Sequence, residues 1–136
     1  MRLNLETGYA LQSLLYLAEQ HGYVTSGELM EVVGFGSHEH AQKILRKLRN
    51  GGMIGVKRGI AGGYILNKDP KDISLWDVLS VMEDSMCIQR CLEKDGVCSG
   101  GAKETCRLRK YFGNAQQQME DTFSKTSIQD ILDEKF

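Results

Sequence analysis

The sequence is short of proline. Its only one is Pro70, so no proline-rich linker divides the chain, and no internal repeat or low-complexity tract points to a solenoid or a fibre. No apolar run approaches the ~20 residues of a membrane-spanning helix. The opening residues, Met1-Arg2-Leu3-Asn4-Leu5-Glu6, lack the apolar stretch and small-residue cleavage site of a secretory leader. These absences predict a cytoplasmic protein that does not enter a membrane. Net charge is nearly absent as well: 17 Lys+Arg stand against 18 Asp+Glu, a formal −1 that on its own speaks against nucleic acid. Histidine is scarce, and His21, His38 and His40 all lie in the N-terminal half. The cysteines further along therefore have no histidine near them in sequence, which leaves a cysteine-dependent enzyme with little support. No C-x-x-C occurs, so thioredoxin-like exchange has none. The chain is read as a non-enzyme.

What is present suffices for one compact domain with an appendage. The 136 residues are 41% hydrophobic and 26% charged, ordinary for a globular protein and incompatible with gross disorder. A chain of this size hides roughly 68–70% of its unfolded surface. The near-zero charge conceals an asymmetry. Residues 1–66 carry 7 Lys+Arg against 5 Asp+Glu, whereas residues 67–136 carry 10 against 13. Within residues 41–66, Lys43, Arg46, Lys47, Arg49, Lys57 and Arg58 meet no acid. Such a block is either a phosphate-binding face or a solvated helix face balanced by acids elsewhere in space. All four cysteines fall in the other half.

Apolar spacing predicts a helix over residues 6–21, with Leu11, Leu14, Leu15 and Ala18 on one face, Ala10 and Leu17 widening it, and Gly22 as its C′ stop. Thr25-Ser26-Gly27-Glu28 reads as a capping box for a short second helix. Gly34-Phe35-Gly36 breaks that helix, and Ser37 caps a third that runs to about Arg49. Two short helices joined by a glycine-containing turn form a helix-turn-helix signature. The second would be the recognition helix, offering Ser37, His38, Glu39, Gln42, Lys43, Arg46 and Lys47 to DNA. Met53–Lys57 and Gly63–Leu66 then flank Arg58-Gly59-Ile60-Ala61-Gly62, a hairpin that would serve as a wing. Arg58 at its tip, with Lys57 beside it, is placed to enter a minor groove. The alternative for Arg58 is a plain solvated turn.

Beyond Pro70, Ser74-Leu75-Trp76-Asp77 caps a helix with Leu75, Val78, Leu79 and Met82 turned inward and Trp76 as a packing residue. Leu108, Phe112, Ala115, Met119 and Phe123 mark a long amphipathic helix over about 104–124, and Ser127-Ile128-Gln129-Asp130 caps a last short one. The fold class is thus mainly α with a small β-hairpin wing. Residues 1–70 make a winged helix-turn-helix DNA-binding domain, and residues 71–136 hold a cysteine loop (85–106) and the long helix. That helix needs a partner for its aromatic stripe. It is assigned to an isologous homodimer interface, the alternative being that it folds back on the first helix of its own chain.

The cysteines are spaced Cys87-x3-Cys91-x6-Cys98-x7-Cys106. Soft thiolates select iron–sulfur, zinc or copper(I). Only Cys87 and Cys91 have the close spacing of a structural zinc pair, so the even, wide pattern favours a loop around a larger cluster. Zinc, thiol redox or inert cysteines stay open. Arg90, Arg107 and Arg109 beside the thiols would favour the thiolate in each case.

With these residues in view, the chain resembles the IscR/NsrR/CymR superfamily of bacterial winged-helix regulators over essentially its full length. Tyr9–Ala18 looks like the family's first helix, and Ile44–Ile54 like its recognition helix running into the wing. Lys57-Arg58-Gly59-Ile60-Ala61-Gly62-Gly63-Tyr64 matches its glycine-rich wing, the most specific segment, and Ile73–Leu79 matches the next helix. The resemblance implies a homodimeric transcription factor acting on double-stranded DNA. It implies an iron–sulfur cluster held through Cys91, Cys98 and Cys106, whose state changes DNA affinity. Members of the CymR type instead respond without a cluster, through a protein partner or thiol oxidation. Three departures stand out. The position of the IscR histidine ligand, three residues after the last cysteine, is Arg109. The position of the carboxylate that NsrR-like members can take from the first helix of the partner chain matches Gly8, with Glu6 the nearest acid. Cys87 is additional and could be the fourth ligand. The cluster type stays open between 2Fe–2S, to which the reading leans, and 4Fe–4S.

Overall fold

The computed structural model of the chain describes residues 2–136. Its order is α1 (Leu5–Glu19), α2 (Ser26–Val33), α3 (His38–Asn50), β1 (Ile54–Lys57), β2 (Gly63–Leu66), α4 (Leu75–Met82), α5 (Arg107–Lys125) and α6 (Ile128–Leu132), with 3-10 turns at Pro70–Asp72 and Arg90–Leu92. The architecture is mainly α with one antiparallel hairpin, as the sequence predicts.

Helix α1 is the hub, packing against α2, α3, α4, α6 and β2. Its buried face is Thr7, Ala10, Ser13, Leu14 and Leu17, while Leu11, Leu15 and Ala18 border the core. The expected stripe is therefore rotated, because two hydroxyl residues count among the buried ones. Each is hydrogen-bonded, which removes the penalty for hiding it. The Ser13 hydroxyl donates to the Tyr9 carbonyl at 2.8 Å, and the Thr7 hydroxyl donates to Glu83. The helix also stops earlier than expected. Gln20 caps it in extended geometry, and Gly22 (φ +107) lies in the following turn rather than at C′.

The Thr25 hydroxyl caps α2 by accepting from the Glu28 N–H at 3.1 Å, but the reciprocal half of the expected capping box is absent. The Glu28 carboxylate accepts instead from the Tyr16 hydroxyl, which pushes that phenol's pKa up. Gly34, left-handed at φ +69, ends α2. Ser37 caps α3 by accepting from the His40 N–H at 3.1 Å, and Ala41, Ile44, Leu45 and Leu48 form the buried face. Both later capping boxes are complete, Ser74 with Asp77 and Ser127 with Asp130. The two caps are joined: the Leu75 N–H donates to the Thr126 carbonyl (2.8 Å), and the Ile128 N–H donates to the Ile73 carbonyl (2.9 Å). One hydrophobic core consequently runs from Ala10 and Leu14 through Ile44 and Leu48 to Val78, Met82 and Ile128.

Helix α5 begins at Arg107, three residues later than expected, with Cys106 as its N-cap. A turn closed by the Thr105 N–H on the Ala102 carbonyl precedes it. It packs on α4 and on the Arg90–Leu92 turn, while α1 is met by α6.

The hairpin pairs Ile54 with Leu66 and Lys57 with Gly63. It is fastened to the body by Val24, whose N–H donates to the Tyr64 carbonyl (2.8 Å) and whose carbonyl accepts from the Tyr64 N–H (2.7 Å). This contact explains the Gly-Gly-Tyr of the wing. Gly63 adopts φ +144, and a Cβ there would stand 2.2 Å from the Val24 carbonyl oxygen. Gly63→Ala should therefore destabilise the fold by at least about 1–3 kcal/mol, the range for a strained backbone position. Chemical denaturation of the two proteins measures it, and equal midpoints would contradict the fastening role.

Candidate DNA-binding face and cysteine segment

The predicted DNA-contacting residues separate into two flanks of α3. On one flank, a groove between α3 and the hairpin is lined by Gln42, Leu45, Arg46, Arg49, Val56, Arg58 and Tyr64. Arg46, Arg49 and Arg58 are exposed, and neither they nor Lys57 make an ion pair among the described residues. Lys57 lies over the Tyr23 ring, 5.7 Å from its centroid, a cation–π contact that braces the turn end of the hairpin. Ile60 at the hairpin tip is fully exposed. Ser37, His38 and Glu39 sit exposed at the start of α3, and His38 approaches Gln42 at 3.5 Å. Arg49 completes this flank, although it was not among the predicted contacts. Its spacing was the available signal, three residues beyond Arg46 and seven beyond Gln42.

The other flank faces α1. Glu6, in the first turn of α1, accepts from Lys43 Nζ at 2.9 Å, lies 3.6 Å from Lys47 Nζ and 3.2 Å from His40 Nε2. The Lys43 hydrogen bond, with that of His40 and the charge of Lys47, holds the Glu6 carboxyl below its usual range. His40 Nδ1 meanwhile bonds the Phe35 carbonyl at 2.9 Å, and its ring stands edge-on to Tyr9. The structure thus places Lys43 on an acid of its own chain. Glu6 is the acid elsewhere in space that balances part of the basic block.

The cysteine segment leaves α4 at Glu83 and is laid against α5. Gln116, the one buried residue of α5, accepts from the Ile88 N–H (2.8 Å) and donates to the Met86 carbonyl (3.0 Å). Arg109, at the position of the expected histidine ligand, donates from Nε to the Cys91 carbonyl at 3.3 Å. All four cysteines are free thiols of intermediate exposure. The Cys98 thiol is held below its ordinary pKa by the backbone N–H groups of Ala102, Gly100 and Gly101, and by Lys103. These groups form a concave array of donors that favours the thiolate. The neighbouring arginines expected to do so are not among its causes. The donor chemistry therefore fits an iron–sulfur cluster: four soft ligands, none tied in a disulfide, one of them with its pKa lowered. Among the described residues no three Cys, His, Asp or Glu side chains are grouped so as to hold a metal ion.

A recognition helix, a fastened wing and an arginine-lined groove between them define a winged helix-turn-helix protein. The sequence matches the Rrf2 family, iron-dependent transcriptional regulators, over residues 3–134. The chain belongs to that family, and it is a transcriptional regulator rather than an enzyme. It is 26% identical to the HTH-type transcriptional regulator IscR of Pectobacterium carotovorum, over 99% of this chain and 81% of that one. It is 33% identical to IscR of Escherichia coli over 76% of this chain and 64% of that one. Among solved structures it shares its fold with CymR, the global cysteine regulator of B. subtilis (TM-score 0.80, 20% identity, 100% and 99% coverage). The same holds for T. potens IscR (TM-score 0.76, 22% identity, 100% and 89% coverage). No helix among the described residues is long and apolar enough to cross a membrane.

The amide array makes a pH prediction. Alkylation of Cys98 by iodoacetamide, followed by peptide mass spectrometry, should reach half its maximal rate below the pH of an ordinary cysteine thiol. Replacing Lys103 with Ala should move the midpoint up slightly, since the amides, not the ammonium, are the larger cause. A Cys98 midpoint at or above the ordinary thiol value would contradict the array.

Proposed function

We propose that this protein is a cytoplasmic, homodimeric regulator that binds a duplex DNA operator and whose DNA affinity is set by an iron–sulfur cluster in the Cys87–Cys106 segment. The observation that carries the DNA-binding half is the unpaired arginine flank. Arg46 and Arg49 on α3 face Arg58 on the wing across one groove, so α3 enters the major groove while Arg58 follows into the minor groove. Residues 1–70 do the binding and residues 71–136 supply dimerisation and control. Helix α5 supports the dimer: Leu108 and Tyr111 are 67% and 68% exposed beside the half-buried Phe112, Ala115, Met119 and Phe123. A face of that kind is covered in a second copy.

Cys91, Cys98 and Cys106 would hold the cluster, with Cys87 as the further thiol at hand. The cluster would supply a redox- and iron-sensitive charge at the segment that follows Glu83. What the chain itself supplies is a polar connection from that segment to α3. The Glu83 carboxylate accepts from the Asn4 N–H (2.8 Å), the Asn4 side chain (3.0 Å) and the Thr7 hydroxyl. It thus closes the N-terminus of α1, one residue from Glu6 and its bonds to α3.

A second reading has its own observation. The poised Cys98 thiol lies in an open, glycine-containing turn, and the four sulfurs are not gathered, which suits a metal-free thiol-redox regulator. Anaerobic purification with a visible spectrum and iron and sulfide counts separates the two. Visible absorbance with stoichiometric iron, lost in Cys91→Ala, Cys98→Ala and Cys106→Ala, is expected of the first. A colourless, iron-free protein that binds DNA until oxidised supports the second. In either case Arg58→Ala should weaken DNA binding and reduce the salt slope by about one. An unchanged slope removes Arg58 from the interface.

A further inference from the structure

The two flanks of α3 differ in what already holds their charges. At 3.6 residues per turn, His40, Lys43 and Lys47 project from the helix roughly a third of a turn away from Gln42, Arg46 and Arg49. The first set converges on one carboxylate, and the second set with Arg58 converges on none among the described residues. Glu6 is only 22% exposed, and Lys43 reaches it at full hydrogen-bond distance. A phosphate approaching Lys43 or Lys47 meets the negative charge of Glu6 on the same ammonium groups, whereas one approaching Arg46 or Arg58 meets no paired carboxylate.

We infer that Glu6 is a built-in counter-charge of the recognition helix: it withholds Lys43 and Lys47 from the phosphate backbone and so limits DNA affinity and confines the phosphate contacts to the Arg46–Arg49–Arg58 flank. The inference rests on the DNA-binding reading above. It adds which cations touch DNA and which residue decides it. Phosphate contacts carry no base information, so the limit acts on every sequence alike. A protein held back in this way depends more on base contacts made by the start of α3, which raises the ratio of specific to non-specific binding. Glu6 is a positioning residue here, since it acts through Lys43 and Lys47 without touching DNA.

The test uses the full chain and a mixed-sequence duplex, titrated between about 50 and 200 mM salt, where each phosphate contact contributes roughly 0.9 to the log–log slope. Glu6→Gln keeps the side chain's length and removes its charge. It should steepen the slope by about one to two and tighten binding several-fold at the lowest salt, with the advantage shrinking as salt rises. In the wild-type background, Lys43→Ala/Lys47→Ala should leave the slope nearly unchanged. In the Glu6→Gln background the same pair should abolish the gain. An unchanged slope in a Glu6→Gln protein of native circular dichroism overturns the inference. So does a slope that falls by about two when the lysines are removed from the wild type. Where Glu6→Gln melts early, the lysine pair in the wild-type background decides by itself. Arg46→Ala and Arg58→Ala separate the levels of the argument. If they leave wild-type binding untouched, the DNA-binding reading fails, and if they weaken it while Glu6→Gln does nothing, only the counter-charge fails.

Discussion

Everything in this fold is arranged around α1. A helix met by α2, α3, α4, α6 and the wing keeps only a narrow solvated strip, Leu5, Gly8, Gln12 and Glu19, while Ala10 and Leu14 have no exposure at all. That enclosure dictates its composition. Small or hydrogen-bonded residues, Ala10, Ser13 and Thr7, stand where neighbouring elements come close, and leucines fill the wider gaps. It also explains why the C-terminal residues return to the first helix. Ile128 is delivered into the same core by a cap that shares its backbone bonds with the start of α4. The helix-turn-helix is thus built on a platform that the C-terminal half completes, and α3 is held at its angle by Ile44, Leu45 and Leu48 against that platform.

The exposed end of the same helix does electrostatic work that its buried part makes possible. Because α1 is fixed, Glu6 in its first turn is a fixed charge, and a fixed acid next to a basic helix discriminates between cations that a mobile one would average. Lys43, Lys47 and His40 are engaged, while Arg46, Arg49 and Arg58 remain available. The formal charge of −1 does not describe the surface DNA would meet, and neither does the run of six bases without an acid between residues 41 and 66. The operative quantity is which bases share a carboxylate in space.

The features legible in the sequence were those whose physics is local. Ser74 with Asp77 and Ser127 with Asp130 cap their helices as their three-residue spacing requires. The buried face of α3 follows its apolar period, and the Gly-Gly-Tyr of the wing marks a close backbone approach to Val24. What escaped depends on partners far along the chain. Glu28 leaves its capping box for the hydroxyl of Tyr16, twelve residues away. The ion pair of Lys43 was not legible because its acid lies 37 residues earlier. The start of α5 slipped because residues 102–105 close a turn of their own.

The cysteine segment shows the opposite balance, rich in chemistry and poor in periodic structure. Its conformation is set less by its own residues than by the two helices it joins. Gln116 satisfies the backbone of Met86 and Ile88, and Arg109 that of Cys91, so α5 carries the hydrogen bonds that a loop with little regular structure of its own lacks. Arg109 thus acts as a support for the segment's backbone. At its other end the segment departs from Glu83, whose carboxylate is committed to the first turn of α1. The segment is consequently anchored at both ends, to α5 on one side and, through Glu83, to the first turn of α1 on the other. Its own middle, with Cys98 in an amide-lined turn, is left free to change chemistry without dismantling the core.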